Sequence, residues 1–204
     1  AKIKFKDALE EFRYDQSNNE DFNKNNNSNI GNNSIKLLDD AIKYSDIVLD
    51  DFYNTSYWLD AAYLKARSSY LKNILSSANY YFNEIIKDKN NPYYYDSLVR
   101  LGFISVRLND MNRLSEIIEE LDANIDNLES NIKSLHRKNP YKFIRNELFL
   151  IKSNYYILKA ENALLLNSSI DEIEYYYLLA AENSNNKNQI KAIYSILLSL
   201  FKSS

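Results

Sequence analysis

The stretch that decides the fold runs from residue 95 to residue 121, YDSLVRLGFISVRLNDMNRLSEIIEEL. Apolar residues recur every three or four positions in both of its halves, as one face of an α-helix requires. They are Leu98, Leu101, Ile104 and Leu108 in the first half, then Leu114, Ile117, Ile118 and Leu121 in the second. Between the halves stand Asn109 and Asp110, residue types that favour turns and helix starts. The stretch therefore predicts two helices joined by a short turn.

The composition extends this prediction to the whole chain. Its 204 residues include 18 Tyr and 9 Phe but only 2 Gly and 2 Pro. Sheet proteins need many tight turns, which draw on Gly and Pro for backbone angles that other residues resist. An all-α fold of long helices is therefore expected. No apolar run approaches the roughly 18 residues that a transmembrane helix needs.

Composition also divides the chain into three parts. Residues 1–15 carry apolar side chains on one helical face, which predicts an N-terminal helix. Residues 16–33 are rich in Asn and poor in apolar side chains, which predicts a flexible loop. Residues 34–204 continue the helical pattern as one repeat domain, and its last helix, over residues 187–203, is expected to cap the stack.

The helix pairs recur at a steady interval. Leu101 follows Ala66 by 35 residues, and Leu114 follows Ala78 by 36. With Leu101-Gly102 ahead of a polar turn, the unit resembles the tetratricopeptide repeat, whose period is about 34 residues. The resemblance implies a short, irregular α-solenoid of antiparallel helix pairs, in which the glycine lets the two helices of a pair approach closely.

The resemblance also implies a binding site, because tetratricopeptide proteins hold partners in a groove lined by the first helix of each pair. In the best-matching pair the corresponding residues are Asp96, Val99, Phe103, Val106 and Arg107. In the preceding pair they are Leu64, Ser68, Leu71 and Lys72. We therefore predict a scaffold or adaptor that binds another protein in a hetero-complex, with apolar burial giving affinity and Arg107 setting orientation.

Few residues in the sequence are suited to catalysis or to metal binding. His136 is the single histidine and cysteine is absent, whereas transition-metal sites normally need several such ligands at set spacings. The acidic run of Glu116, Glu119, Glu120 and Asp122 would need a walled pocket for catalysis, and on an amphipathic helix such a run is usually the solvated face. No phosphate loop or nucleophile motif is present. We predict no enzyme activity, no metal and no cofactor.

A basic cluster around residue 140 supports an alternative hypothesis. It consists of Lys133, Arg137, Lys138, Lys142 and Arg145. A helical repeat protein could use such a cluster to bind RNA or a membrane surface, although a solvated connector is the commoner role. The net charge of −3 argues against DNA and disfavours RNA, because phosphate binding relies on many Lys and Arg residues.

Two runs of three tyrosines, at residues 93–95 and 175–177, also suggest binding surfaces. Consecutive rings point about 100° apart around a helix. We therefore expect at least one exposed ring in each run, and exposed tyrosine is common at protein interfaces.

The expected compartment follows from a narrower resemblance. The tyrosine-rich units are similar to those of the tetratricopeptide lipoprotein of bacterial outer-membrane β-barrel assembly. The chain begins with Ala1 rather than Met, which fits removal of a signal peptide or of a lipid-carrying cysteine. The resemblance implies the bacterial periplasm or cell envelope, with a possible membrane tether through a removed N-terminal lipid anchor. The cytoplasm is the alternative.

Overall fold

The computed structural model describes residues 32–53, 55–131, 134 and 147–203. In these ranges every regular element is helical, which confirms the predicted all-α fold. None of the helices described there has both the length and the apolar composition to cross a membrane. The predicted helix over residues 1–15 and most of the predicted loop over residues 16–33 lie outside the described part.

The chain divides into two compact units, with the boundary between Lys87 and Asp88. In the first unit, the described helices are α1 (Asn32–Asp51), α2 (Ser56–Leu71) and α3 (Leu75–Ile85). Helix α2 packs against both of the others. Asn73 has a left-handed backbone with a φ of 60°, a conformation that Asn tolerates and that ends α2 before the chain turns into α3.

Helix α1 is held against α2 by a narrow apolar stripe. Leu38, Ala41 and Leu49 are buried, and their spacing puts them on one helical face. Leu38 and Ala41 pack against Leu64 and Leu71 of α2. Helix α1 therefore packs on the face of α2 that carries Leu64 and Leu71, two of the predicted groove residues.

The second unit contains a longer run of helices in the described ranges. They are α4 (Tyr94–Leu108), α5 (Met111–Asp122), a 3₁₀ turn (Ile125–Asn127), α6 (Glu147–Leu165), α7 (Ile170–Glu182) and α8 (Lys187–Ser203). The predicted α4–turn–α5 pair is confirmed: Asn109 is left-handed, and the Asp110 carboxylate caps α5 by accepting from the Arg113 N–H. The predicted last helix over residues 187–203 matches α8.

Within this unit most helices pack against their neighbours in sequence, and α6 also packs against α4. Gly102 explains that close contact. A Cβ atom at Gly102 would lie 2.3 Å from Cδ2 of Leu158, which belongs to α6. The expectation that this glycine serves the approach of α4 to its own partner α5 is therefore wrong. It accommodates a residue far along the chain that local spacing cannot reveal.

Small residues bring α6 and α7 together. Ala160 and Ala163 of α6 and Ala180 of α7 are buried in one cluster with Tyr177, and α8 adds Ile193 to it. Alanine leaves room for the Tyr177 ring to be enclosed completely. The inner face of α8 therefore belongs to the core of the second unit.

Candidate partner-binding surfaces

The predicted groove residues of the first unit lie between α1 and α2. Leu64 and Leu71 are half-buried against the core of α1, and Ser68 is fully buried. Lys72 forms an ion pair with Asp39 of α1. Leu64, Leu71 and Lys72 thus keep part of their surface exposed, and binding at these four positions stays a prediction.

In the second unit the predicted groove residues differ in accessibility. Asp96 and Val99 are buried. The Asp96 carboxylate pairs with Arg100, with 2.6 Å between Oδ2 and Nε, whereas the periodicity of α4 places Val99 on the same face as Gly102. Neither side chain offers surface to a partner, because the folded unit already encloses both.

The accessible part of that predicted groove is one end of α4. Phe103 and Val106 are half-buried and Arg107 is exposed. They lie within one turn of each other, so an apolar contact beside a cation remains available there. Partner binding through these three residues stays a prediction.

The expectation of an exposed ring in each tyrosine run is right for one run and wrong for the other. Tyr175 is 58% exposed while Tyr177 is fully buried, as expected. Tyr93, Tyr94 and Tyr95 are all buried. Residues beyond α5 contact this run, since the Tyr95 hydroxyl accepts from Asn131 Nδ2 at 3.0 Å.

Two acidic residues of α5 accept hydrogen bonds from buried tyrosines, in addition to facing solvent. The Tyr94 hydroxyl donates to Glu120 Oε1 at 2.9 Å, and Lys89 Nζ approaches the same oxygen at 2.6 Å. Burial raises the pKa of Tyr94, and the hydrogen bond to Glu120 raises it further. The hydrogen bond from Lys89 lowers the pKa of Glu120 against the opposing effect of burial. The hydroxyl therefore stays protonated and the carboxylate ionised at neutral pH.

Two more tyrosines in the described part of the second unit also donate to a carboxylate on a neighbouring helix. Tyr155 of α6 donates to Asp122 of α5, which also pairs with Lys159 at 3.1 Å. Tyr177 of α7 donates to Glu161 of α6 at 2.9 Å. Burial is the largest cause of the raised pKa of both tyrosines. Each bond links two helices, so these tyrosines and acids hold the unit together.

Two other candidates cannot be placed. His136 and the basic cluster around residue 140 lie outside the described residues. In the part of the chain that the structure covers, no three His, Cys, Asp or Glu side chains come together as metal ligands would. The RNA- or membrane-binding hypothesis for the basic cluster stays a prediction.

A surface that the sequence analysis did not single out lies at one end of the first unit. We call it the aromatic end and define it by Phe52, Tyr53, Tyr57 and Trp58. Tyr53 is 71% exposed and Tyr57 is 62% exposed. The rings form edge-to-face pairs: Phe52 with Tyr57 at 6.3 Å between centroids, and Tyr53 with Trp58 at 6.1 Å.

Thr55 fixes the backbone that carries these rings. Its hydroxyl donates to the carbonyl of Phe52 at 2.7 Å and accepts from the N–H of Trp58 at 3.4 Å. One side chain thus ties the end of α1 to the first turn of α2 and acts as its N-cap. The aromatic pairs are therefore held by the turn as well as by their mutual contacts.

Lys65 joins all three described helices of the first unit. It projects from α2, pairs with Asp46 of α1 and donates to the Tyr81 hydroxyl of α3 at 2.9 Å. Burial of the ammonium opposes its charge, but the hydrogen bonds to Asp46 and Tyr81 outweigh it and raise the pKa of Lys65. Tyr81 in turn packs edge-on against Tyr80, which is 59% exposed.

The sequence contains a signal for the aromatic end. Residues 52–58 read FYNTSYW and put four aromatic side chains around a polar turn, where solvent exposure is expected. The periodicity of α1 and α2 does not reveal this surface, because the turn interrupts the apolar pattern of both helices.

Neither the sequence nor the structure gives a significant match to any protein-family model, curated protein or solved structure.

Proposed function

We propose that this chain is a protein-interaction scaffold that binds a partner protein through the aromatic end of its first unit. The observation that carries the proposal is the exposure of Tyr53 and Tyr57 in a patch where rings pair edge to face. Aromatic side chains dominate binding energy at protein interfaces, because each buries a large area with few rotatable bonds.

The way the patch is held favours binding. Association must offset the entropy lost when interface side chains become ordered. At the aromatic end the Thr55 hydrogen bonds fix the turn, and the paired rings restrain one another before any partner arrives. Less ordering is therefore left to occur on binding, which is the physical advantage of a preformed site.

The repeat family and the cellular location in this proposal rest on the sequence. The spacings of 35 and 36 residues support helix pairs of the tetratricopeptide kind. A bacterial envelope location and a lipid tether belong to the proposal through that resemblance. No catalytic step is part of it.

The test compares capture of a specific partner by matched variants. The intact chain is used as bait in an extract of the native organism, and each captured protein is then purified and titrated against the bait. Tyr53→Ser/Tyr57→Ser should weaken binding by at least about 30-fold, the effect of losing one interface hot spot. Circular dichroism establishes that each variant is folded.

The controls separate this site from the predicted groove. Tyr44→Ser/Tyr175→Ser removes two other exposed rings and should leave affinity unchanged. If Tyr53→Ser/Tyr57→Ser binds as tightly as the parent, the aromatic end is not the site. A loss seen instead with Phe103→Ser/Arg107→Ser would move the site to α4.

A further inference from the structure

The end of α1 that leads into the aromatic end carries negative charge. The last two residues of the helix are Asp50 and Asp51, and both are exposed. The last turn of α1 contains no basic residue. The carbonyl end of a helix is itself electronegative, so a carboxylate there is unfavourable and a cation is favourable. Two carboxylates in this position therefore reduce the stability of α1 and make this end of the helix attractive to a cation.

The sequence around the aromatic end does not supply that cation. Residues 44–64 include four Asp residues and neither Lys nor Arg. Two other acids of α1, Asp39 and Asp46, pair with lysines of α2. In the part of the chain that the structure describes, no such pair holds Asp50 or Asp51. These two carboxylates are therefore available to a partner.

One cation of the first unit does lie near these rings. Lys87 is close enough to Tyr53 to interact with it electrostatically. It forms an ion pair with Glu84, with 2.6 Å between Nζ and Oε1, so the pair adds no net charge to the aromatic end. The surface therefore combines exposed rings with an excess of negative charge.

Aromatic rings and carboxylates together recognise cationic side chains. The face of a ring attracts a cation, and a carboxylate accepts strong hydrogen bonds from it. Arginine makes both contacts at once, because its planar guanidinium stacks on a ring while its N–H groups bind a carboxylate. The first unit shows the same chemistry internally: Lys65 pairs with Asp46, and its Nζ lies 4.5 Å from the centroid of the Tyr81 ring.

We propose that the aromatic end binds an arginine-containing basic segment of its partner protein. Guanidinium groups of the segment stack on Tyr53 and Tyr57 and donate hydrogen bonds to Asp50 and Asp51. This inference rests on the proposed function, because it names the chemistry of the partner that the aromatic end binds. Charge complementarity decides against an acidic or purely apolar segment, which would desolvate two carboxylates without offering them a cation.

Binding should depend on both the carboxylates and the rings. Asp50→Asn/Asp51→Asn should weaken binding of an arginine peptide about tenfold, the effect of losing two exposed ion pairs. The same substitutions should slightly stabilise α1, because they remove negative charge from its carbonyl end, so unfolding would not explain weaker binding. Tyr53→Ser/Tyr57→Ser should also weaken binding about tenfold by removing two cation–ring contacts. Added salt should weaken binding, because it screens the exposed carboxylates.

The test titrates the full chain with three synthetic peptides without aromatic residues: repeats of Arg-Ser, of Gln-Ser and of Glu-Ser. Trp58 is the single tryptophan, and its ring centroid lies 6.1 Å from that of Tyr53. Its fluorescence therefore reports binding at the aromatic end, and only the Arg-Ser peptide should change it. Anisotropy of a labelled Arg-Ser peptide measures the affinity of Tyr53→Ser/Tyr57→Ser, in which Trp58 has lost its neighbouring ring.

A matched variant controls for the loss of charge. Glu119→Gln/Glu182→Gln also removes two exposed carboxylates, but from the second unit. Its affinity for the Arg-Ser peptide should equal that of the parent. Equal weakening by this control and by Asp50→Asn/Asp51→Asn would show that the peptide responds to net charge alone, and would overturn the inference.

Other results would also overturn it: no change in Trp58 emission, an equal response to the Gln-Ser peptide, or parent-like affinity of Asp50→Asn/Asp51→Asn. The purified partner distinguishes this failure from failure of the proposed function. If the partner loses affinity with Tyr53→Ser/Tyr57→Ser but not with Asp50→Asn/Asp51→Asn, the aromatic end binds protein by another chemistry and this inference alone fails. If the partner loses affinity with neither variant, the proposed function fails as well.

Discussion

Substituting Gly102 by alanine should destabilise the second unit. The new Cβ would lie 2.3 Å from Leu158 Cδ2, and Leu158 is fully buried, so its side chain must shift against its neighbours in the core. Overpacking of this kind lowers the free energy of unfolding by about 1–3 kcal/mol. Alanine recovers about 1 kcal/mol through its better helix propensity. We therefore expect a net loss of up to about 2 kcal/mol for Gly102→Ala and a larger loss for Gly102→Val.

A double-mutant cycle isolates the contact. Leu158→Ala alone should lower the free energy of unfolding by about 2–5 kcal/mol by leaving a cavity. In that background the clash is gone, so Gly102→Ala should be neutral or stabilising by about 1 kcal/mol. Urea unfolding followed by circular dichroism measures all four corners, while fluorescence of the single tryptophan, Trp58, follows the first unit. An equal effect of Gly102→Ala in both backgrounds would refute the reasoning.

Two further predictions concern charged contacts. Because the pKa of Glu120 is lowered in the folded state, its ionised form adds stability that is present above its ordinary pKa of 4.5 and is lost as the pH falls through the lower, folded value. The free energy of unfolding, measured by urea titration, should therefore fall more for the parent than for Glu120→Gln between about pH 6 and about pH 3. The difference between the two falls should be less than about 1 kcal/mol, because Lys89 is well exposed. Arg100→Met removes the cation paired with the buried Asp96 and should lower the free energy of unfolding by about 3–5 kcal/mol. Asp96→Leu/Arg100→Met should regain most of that loss in the same assay, and a double variant no more stable than the single one would contradict it.

Local periodicity predicted the helices well because it depends only on neighbouring residues. The α4–α5 turn at Asn109 and the extent of α8 follow from spacing and from turn chemistry. Which helix packs against each face of another helix depends on residues far apart in the chain, and periodicity does not show it. The repeat pattern placed the partner of Gly102 within its own pair, whereas the structure places it on α6. Likewise, the sequence of α2 alone does not predict that Leu64 and Leu71 pack against α1.

The apolar content of α8 could have been weighed in the sequence. Residues 190–201 carry apolar side chains on almost every side of the predicted helix. A helix that is apolar all round normally has more than one neighbour. The role of a cap, with one buried face, predicts a narrower apolar stripe than this.

The tyrosines divide into two classes by how their hydroxyls are satisfied. Burying a hydroxyl without a partner is costly, and Tyr94, Tyr155 and Tyr177 each donate to a carboxylate on a neighbouring helix. Those bonds explain why phenol rings, and not phenylalanine rings, occupy these core positions. Tyr53 and Tyr57 face solvent, where core packing demands neither the ring nor the hydroxyl. The core therefore requires the first class, whereas the second class is exposed and belongs to the surface that we propose binds a partner.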